Sequence, residues 1–339
     1  MRVLRFDGQR VALDARSPEP APAPGEAVVR VRLAGIATPD LAVLAAGSPF
    51  RGIPGHEFVG VVEELNIPKD APARLDAKRT LKGKRVVGGI NLSCQKCDRC
   101  RSGLAHHCAQ RTVLGLAGRD GCFADRFTIP AAALHAVPDA IDDEHALFAT
   151  SIAAAMHAAQ MFRVEGRPYI TVLGDGRLGL LAVQVMARLN ASVRLLGKHP
   201  EKLELCDHWG VKHRHIDEVG RRQDQDVVVD CTGSTSGLAL AMQLVRPRGK
   251  IVLASAPSLA PTTAGIPAIA SPIDLSPLVV NEIELIGSRC GQITEALAAL
   301  TRSEVDTTGL ITRRGKLDDG PMLIEAARAK GQIKVVMAA

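Results

Sequence analysis

Through the first 148 residues, apolar positions come in short runs alternating with polar ones. Residues 28–33 read Val-Val-Arg-Val-Arg-Leu and residues 58–63 read Phe-Val-Gly-Val-Val-Glu, the two-residue period of half-buried strands. Val86-Val87 marks another, and glycines and prolines punctuate these runs as in a compact β-barrel-like domain. The pattern then changes. Residues 148–162 are Ala-rich and of a length and spacing that suit a buried helix. A buried-type strand follows at 169–173, then an apolar-periodic helix at 178–189, strand 192–196, helix 201–209, strand 227–230, helix 237–245 and strand 250–254. Strands alternating with helices predict a parallel, doubly wound sheet. Residues 283–286 would be its last strand, after which the chain returns to the first domain. Residues 257–277 are rich in Pro, Ala, Ser and Thr and long for a connection. They follow the carboxyl side of a strand and read as a lid, a surface loop or a subunit contact. No internal repeat is visible.

A chain of 339 residues is long enough for two domains, and its 46% hydrophobic and 23% charged content is ordinary for a globular protein. No apolar run reaches the roughly 18–20 residues of a membrane span, so no membrane partner is expected. The N-terminus lacks the continuous apolar stretch of a secretory signal. The net charge of +6 is spread among acidic residues, with only 78–85 and 212–222 locally basic. Seven Phe, one Trp and one Tyr leave little for base stacking, so the charge reads as solvated surface rather than a nucleic-acid face.

Chemistry enters with Cys94, Cys97, Cys100 and Cys108, spaced C-x2-C-x2-C-x7-C. That density suits one closed tetrahedral zinc with four thiolates better than disulfides. The residues between them are mostly polar and cannot fold around a core of their own, so a metal would order the lobe at about residues 91–111. His106 or His107 could replace Cys108, but four sulfurs already complete the shell and leave no position for substrate. Zinc-spaced cysteines without an export signal point to a reducing cytoplasm.

Gly174-Asp175-Gly176-Arg177-Leu178-Gly179 follows a strand and opens a helix. In that context G-x-G-x-x-G lets the backbone approach a dinucleotide pyrophosphate resting on the helix N-terminus. NAD sites place Asp or Glu near the end of the second strand to bind the ribose hydroxyls. Here that strand ends Gly197-Lys198-His199, with no acid and two potential cations, which favours NADP, with NAD as the alternative. Asp230-Cys231-Thr232-Gly233 ends the next strand beneath the nicotinamide side, and Cys231 reads as a small buried residue.

Together with Gly35-Ile36, Gly55-His56-Glu57 and Gly287-Ser288-Arg289-Cys290-Gly291, these motifs make the chain resemble the medium-chain dehydrogenase/reductase superfamily, in its zinc-containing alcohol dehydrogenase branch. The resemblance runs nearly end to end. It implies an α/β chain in which a GroES-like, β-rich catalytic domain with a structural-zinc lobe is interrupted by a Rossmann domain. On this sequence the divisions fall at 1–149, 150–286 and 287–339. It also implies a small-molecule substrate in the interdomain cleft, a homodimer or homotetramer built on the strand near Asn281 to Ile286, and Arg289 either on cofactor phosphate or bracing the domain junction.

Relatives with a catalytic zinc bind it through a Cys, a His, and a second Cys or Glu. The first ligand comes from a Gly-Ile-Cys-x-Thr/Ser-Asp motif, and here Gly35-Ile36-Ala37-Thr38-Pro39-Asp40 has alanine at that position. Pro39 replaces the hydroxyl residue that relays the substrate proton. The Glu of the later helix is replaced by Thr150, while His56 and Glu57 remain. Alanine and a neutral hydroxyl do not hold zinc, so the catalytic zinc is expected to be absent. Without that Lewis acid, acceptors that spread developing charge are favoured: activated double bonds, quinones, imines or activated carbonyls. His56 is the best remaining acid, with Asp40 placed to fix its tautomer and Thr150, Ser151 and Thr38 as further donors. His56 and Asp40 equally read as a buried pair left from a metal-binding ancestor. A zinc alcohol or polyol dehydrogenase with unusual ligands and a non-catalytic nucleotide-binding protein are the alternative functions.

Overall fold

The computed structural model describes residues 1–45, 48–255 and 273–339. These divide into two compact units, Met1–Thr150 with Leu310–Ala339, and Ser151–Gly309.

The first unit is built on strand β1 (Glu26–Ile36), whose alternating side chains bury Val29, Val31 and Ala34 in the core. It pairs antiparallel with β2 (Glu57–Asn66), which pairs in turn with β3 (Arg85–Gly88); β4 (Arg126–Pro130) also pairs with β1, and β5 (Leu134–Ala136) with β3. Phe58 of β2 meets Phe127 of β4 edge-to-face at 4.8 Å, a geometry that aligns ring edge with ring face. A short helix α1 (Thr38–Val43) leaves the end of β1 with Pro39 in its first turn. A two-residue ladder, Asn91–Leu92 with Thr112–Val113, forms the base of the cysteine lobe.

Helix α2 (Ala149–Gln160) leads into the second unit. There β6 (Tyr169–Leu173), β7 (Ser192–Gly197), β8 (Lys212–His215), β9 (Gln225–Asp230), β10 (Val245–Leu253) and β11 (Glu284–Gly287) form one parallel sheet in the order β8-β7-β6-β9-β10-β11. Helices α3 (Arg177–Ala187) and α4 (Thr235–Leu244) pack on it, α4 through Leu238, Ala241 and Leu244 against Val228 and Ile251. The strand order reverses at β6, the doubly wound arrangement whose carboxyl ends bind ligands. Register places Leu173 beside both Leu196 and Asp230, so the loops after β6, β7 and β9 emerge level with one another.

Two local expectations are corrected and one strand is added. The helix over 201–209 breaks into Pro200–Leu203 and Leu205–His208. The basic stretch from residue 212 begins with an edge strand, Lys212–His215, in which Lys212 and Arg214 are exposed and the two histidines half-buried. Exposed cations on an edge strand discourage further strand pairing. The return to the first unit comes at Leu310, not 287. Helix α5 (Ile293–Thr301) stays with the second unit: Glu295 accepts from Gln160 at 2.9 Å, and Gln184 bonds Asp306. Of the segment 257–277, residues up to 272 lie outside the described residues.

The returning chain forms β12 (Ile311–Lys316), helix α6 (Gly320–Arg328) and β13 (Lys334–Ala338). β13 pairs antiparallel with β1, completing a sheet in the order β12-β13-β1-β2-β3-β5.

Candidate active site

The sheet register of the first unit assembles a buried polar group. Ala37 is the N-cap residue of α1, and its amide donates to Asp40 Oδ2 at 2.8 Å. The other Asp40 oxygen lies 2.7 Å from His56 Nδ1. Asp40 is fully buried and His56 and Glu57 are 3% exposed. With Nδ1 committed to Asp40, Nε2 is the ring nitrogen left for chemistry. Glu57, opposite Gly35 in the β1–β2 register, pairs with the ammonium of Lys334 at the start of β13. Lys334 Nζ also reaches the Ile36 carbonyl at 3.4 Å. It passes where a side chain on residue 35 would stand, which explains the glycine there. Two carboxylates and one ammonium are thus buried together with His56. Cys122 is fully buried, and its thiol donates to the Glu57 carbonyl at 3.5 Å. Burial, with the charges of Asp40 and Glu57 adding to it, pushes that thiol well above its usual range, so it stays neutral.

In the cysteine lobe, Cys94, Cys97, Cys100 and Cys108 bring their sulfurs within 4.8 Å of one another. The closest separations run from 3.5 to 3.9 Å. Four ligands at about 2.3 Å around a tetrahedral zinc stand about 3.8 Å apart, so the set fits one ion. The amides of Lys96 and Cys97 lower the Cys94 thiol to about 6, while burial and the neighbouring sulfurs raise Cys100 to about 11. Sulfurs this close do not all ionise unless a cation joins them. Among the described residues this is the sole cluster of three or more His, Cys, Asp or Glu side chains placed to share a metal.

In the second unit the glycine loop bends through Gly174, whose φ of +101° favours glycine. A Cβ on Gly179 would fall on the Gly174 carbonyl, so loop and helix pack without side chains between them. A Cβ on Gly176 would meet nothing within 4 Å. That open space lies at the start of α3, where helix amides suit a pyrophosphate. Arg177 and Leu178 follow in the first turn, half-buried. After β9, the Thr232 amide and hydroxyl both donate to Asp230 Oδ1 at 2.8 and 2.7 Å. Burial raises the pKa of Asp230; Cys231 is half-buried rather than buried, and desolvation with Asp230 beside it raises its thiol, which disfavours a nucleophilic thiolate.

Two family models match this chain: the alcohol dehydrogenase GroES-like domain over residues 23–139 and the zinc-binding dehydrogenase over 178–303. The L-threonine 3-dehydrogenase of Chelativorans sp. (strain BNC1) is 28% identical over 342 residues, covering 95% of this chain and 94% of that protein. An alcohol dehydrogenase from Thermus sp. ATN1 superposes with a TM-score of 0.83 at 25% identity, covering 100% of this chain and 99% of the other. A zinc-binding dehydrogenase from Sinorhizobium meliloti 1021 bound to NADP gives 0.81 at 24%, with the same coverage.

The chain belongs to the zinc-containing medium-chain dehydrogenase/reductase superfamily. It is an NAD(P)-dependent oxidoreductase.

Within this dehydrogenase the structure pairs Asp40 with His56, and Glu57 with Lys334, which sequence reasoning missed. No local signal could have found it, because it lies 277 residues from its partner. Ala37 is buried at the family's first ligand position. Thr150 is half-buried in the first turn of α2 and, among the described residues, makes no hydrogen bond to the His56 group. Arg289 is exposed in the loop after β11.

The second strand ends without an acid of its own, as the sequence reads, yet the fold brings one to its end. Asp175 of the glycine loop sends its carboxylate across to the end of β7, accepting the amides of Lys198 at 2.6 Å and His199 at 2.7 Å. The His199 ring closes on the same carboxylate at 3.0 Å, while the Lys198 side chain is exposed.

Proposed function

We propose that this dehydrogenase works without a catalytic zinc, reducing an activated double bond, quinone, imine or activated carbonyl with His56 as proton donor. The observation that carries the reading is the pairing of Asp40 with His56 and of Glu57 with Lys334 beside an alanine at the first ligand position. Glu57 already has a buried cation, and His56 offers one nitrogen, fewer than the three protein ligands catalytic zinc sites use. Bound nicotinamide supplies the hydride. The open face over Gly176 and the first turn of α3 hold the coenzyme, with Arg177, Gly197, Lys198, His199, Thr232 and Arg289 as further contacts. Asp40 accepts from His56 Nδ1–H, and the ring, when it carries a second proton on Nε2, delivers that proton as charge develops on the acceptor, Nε2 then being reprotonated from solvent. Thr150 is a second polar group for the substrate. One zinc sits in the cysteine lobe.

Elemental analysis of the purified chain tests this together with turnover on enones, quinones and imines. One zinc per chain, with NAD(P)H oxidation falling about 10²-fold or more in His56→Gln, is the expected result. A second zinc that His56→Gln releases would reject the reading. It would favour instead a zinc-dependent alcohol dehydrogenase with unusual ligands, in keeping with the zinc-binding dehydrogenase family model and with the relatives named L-threonine 3-dehydrogenase.

The same reading includes a homodimer or homotetramer formed along β11. That strand is the outer edge of its sheet, Leu285 is 40% exposed, and nearby Val279 and Val280 are 80% and 78% exposed. Light scattering should show Leu285→Lys shifting the chain towards monomer. The cytoplasm, where thiols stay reduced, suits the four cysteines; no described helix is long and apolar enough to cross a membrane.

A further inference from the structure

The turn after β7 shows a substitution that chain position hides. Position 197, where the second strand ends, is glycine, and a Cβ built on it would lie 2.5 Å from Asp175 Oδ2 and 2.6 Å from Asp175 Cβ. The Asp175 carboxylate therefore fills the volume that a side chain at the end of β7 would occupy. It is held there by three donors, the Lys198 amide, the His199 amide and the His199 ring. Asp175 is 7% exposed, and burial by itself would raise its pKa; the bonds from His199 and Lys198 outweigh that and leave it below the ordinary carboxylate range. Those bonds keep it ionised at neutral pH.

We propose that Asp175 is this chain's ribose-reading carboxylate, delivered from the glycine loop instead of the second strand, and that it sets a preference for NAD over NADP. The proposal rests on the NAD(P)-dependent reading above. Two consequences of the geometry favour the unphosphorylated coenzyme. A 2′-hydroxyl can donate to Asp175 Oδ1, which among the described residues is hydrogen-bonded by the His199 ring at 3.1 Å and keeps a second lone pair. A 2′-phosphate at the same place needs donors, but the two amides at the strand end already point at Asp175 Oδ2. It would meet a fixed like charge, with the exposed Lys198 side chain beside it and His215 opposite Gly197 on the neighbouring strand.

Fluorescence titration of the full zinc-loaded chain with NADH and NADPH tests the proposal, with 5′-AMP and adenosine 2′,5′-bisphosphate as the matched fragment pair. NADH is expected to bind at least tenfold tighter than NADPH, and 5′-AMP tighter than the bisphosphate. Asp175→Asn keeps an acceptor for the strand-end amides and removes the charge, and should narrow the NADH/NADPH ratio at least tenfold, chiefly by gaining NADPH. If that variant does not fold, the wild-type ratios still decide the matter. NADPH binding as tight as NADH in the wild type overturns the proposal and leaves the oxidoreductase reading intact, as does an unchanged ratio in a folded Asp175→Asn. Failure of both coenzymes and both fragments to bind overturns the two together.

Discussion

Lys334 shows how much a single residue decides in this site. Its ammonium is 1% exposed and balances Glu57, itself buried, so truncating it strands a carboxylate in the interior. Lys334→Met should lower stability by about 3–5 kcal/mol in urea unfolding. The double variant with Glu57→Gln should recover part of that loss, because the stranded charge is gone. His135 carries a pH dependence of its own. Burial, reinforced by the nearby charges of Lys78 and Arg74, lowers its pKa to about 4. The unfolded chain therefore binds this proton more readily between about pH 6.5 and 4, so stability from His135 is complete above that window and falls as pH drops through it. The slope from this residue should approach about 1.4 kcal/mol per pH unit in denaturant titrations at pH 6 and 5, and His135→Gln should flatten it. At this scale the sequence made His56, Asp40 and Glu57 legible, because each lies in a short recognisable motif. It hid Lys334, which follows a run without any motif, and it hid the role of Asp175, which stands at a position where the glycine pattern accepts any residue.

Among the elements, the glycine loop separates folding from binding. Gly179→Ala drives a methyl into a backbone carbonyl that cannot move without distorting loop or helix. It should destabilise the chain by about 1–3 kcal/mol. Gly176→Ala meets open space, so its melting temperature should stay near that of the wild type while NADH affinity falls, as the methyl takes room needed for close backbone approach to the pyrophosphate. Calorimetry and fluorescence titration on the two variants check both halves of this contrast. Strands with a clear apolar run, such as β6 and β9, lie close to where periodicity puts them. The edge strand β8 was illegible because Lys-His-Arg-His carries no apolar signal; pairing with β7 makes it a strand. Over 201–209 the apolar spacing predicts one continuous helix because it does not register the break between the two short helices at Glu204.

For the molecule as a whole, the cysteine lobe tests how far one ion holds a segment with little core. Stripping zinc with a strong chelator should expose residues 95–107 to limited proteolysis while the rest of the first unit, packed around Phe58, Phe123 and Phe127, resists cleavage. Readdition of zinc should restore protection. The division of the chain was readable at residue 148, where the apolar period changes. The return was misplaced, because the composition around residue 287 gives no sign that α5 remains with the second unit; the bonds of Gln160 and Gln184 to residues 295 and 306 decide that.

What the chain determines by itself is whatever neighbouring residues specify together: the strand and helix periods, four thiols close enough to share an ion, and a glycine turn ahead of a helix. These are short-range properties, and the backbone expresses them wherever the segment ends up. Tertiary structure alone decided which charge meets which. Strand register set Lys334 against Glu57, and the parallel pairing of β6 with β7 carried Asp175 to the end of a strand that has no acid of its own. Electrostatic partnership depends on distance through space, and only the folded sheets fix that distance.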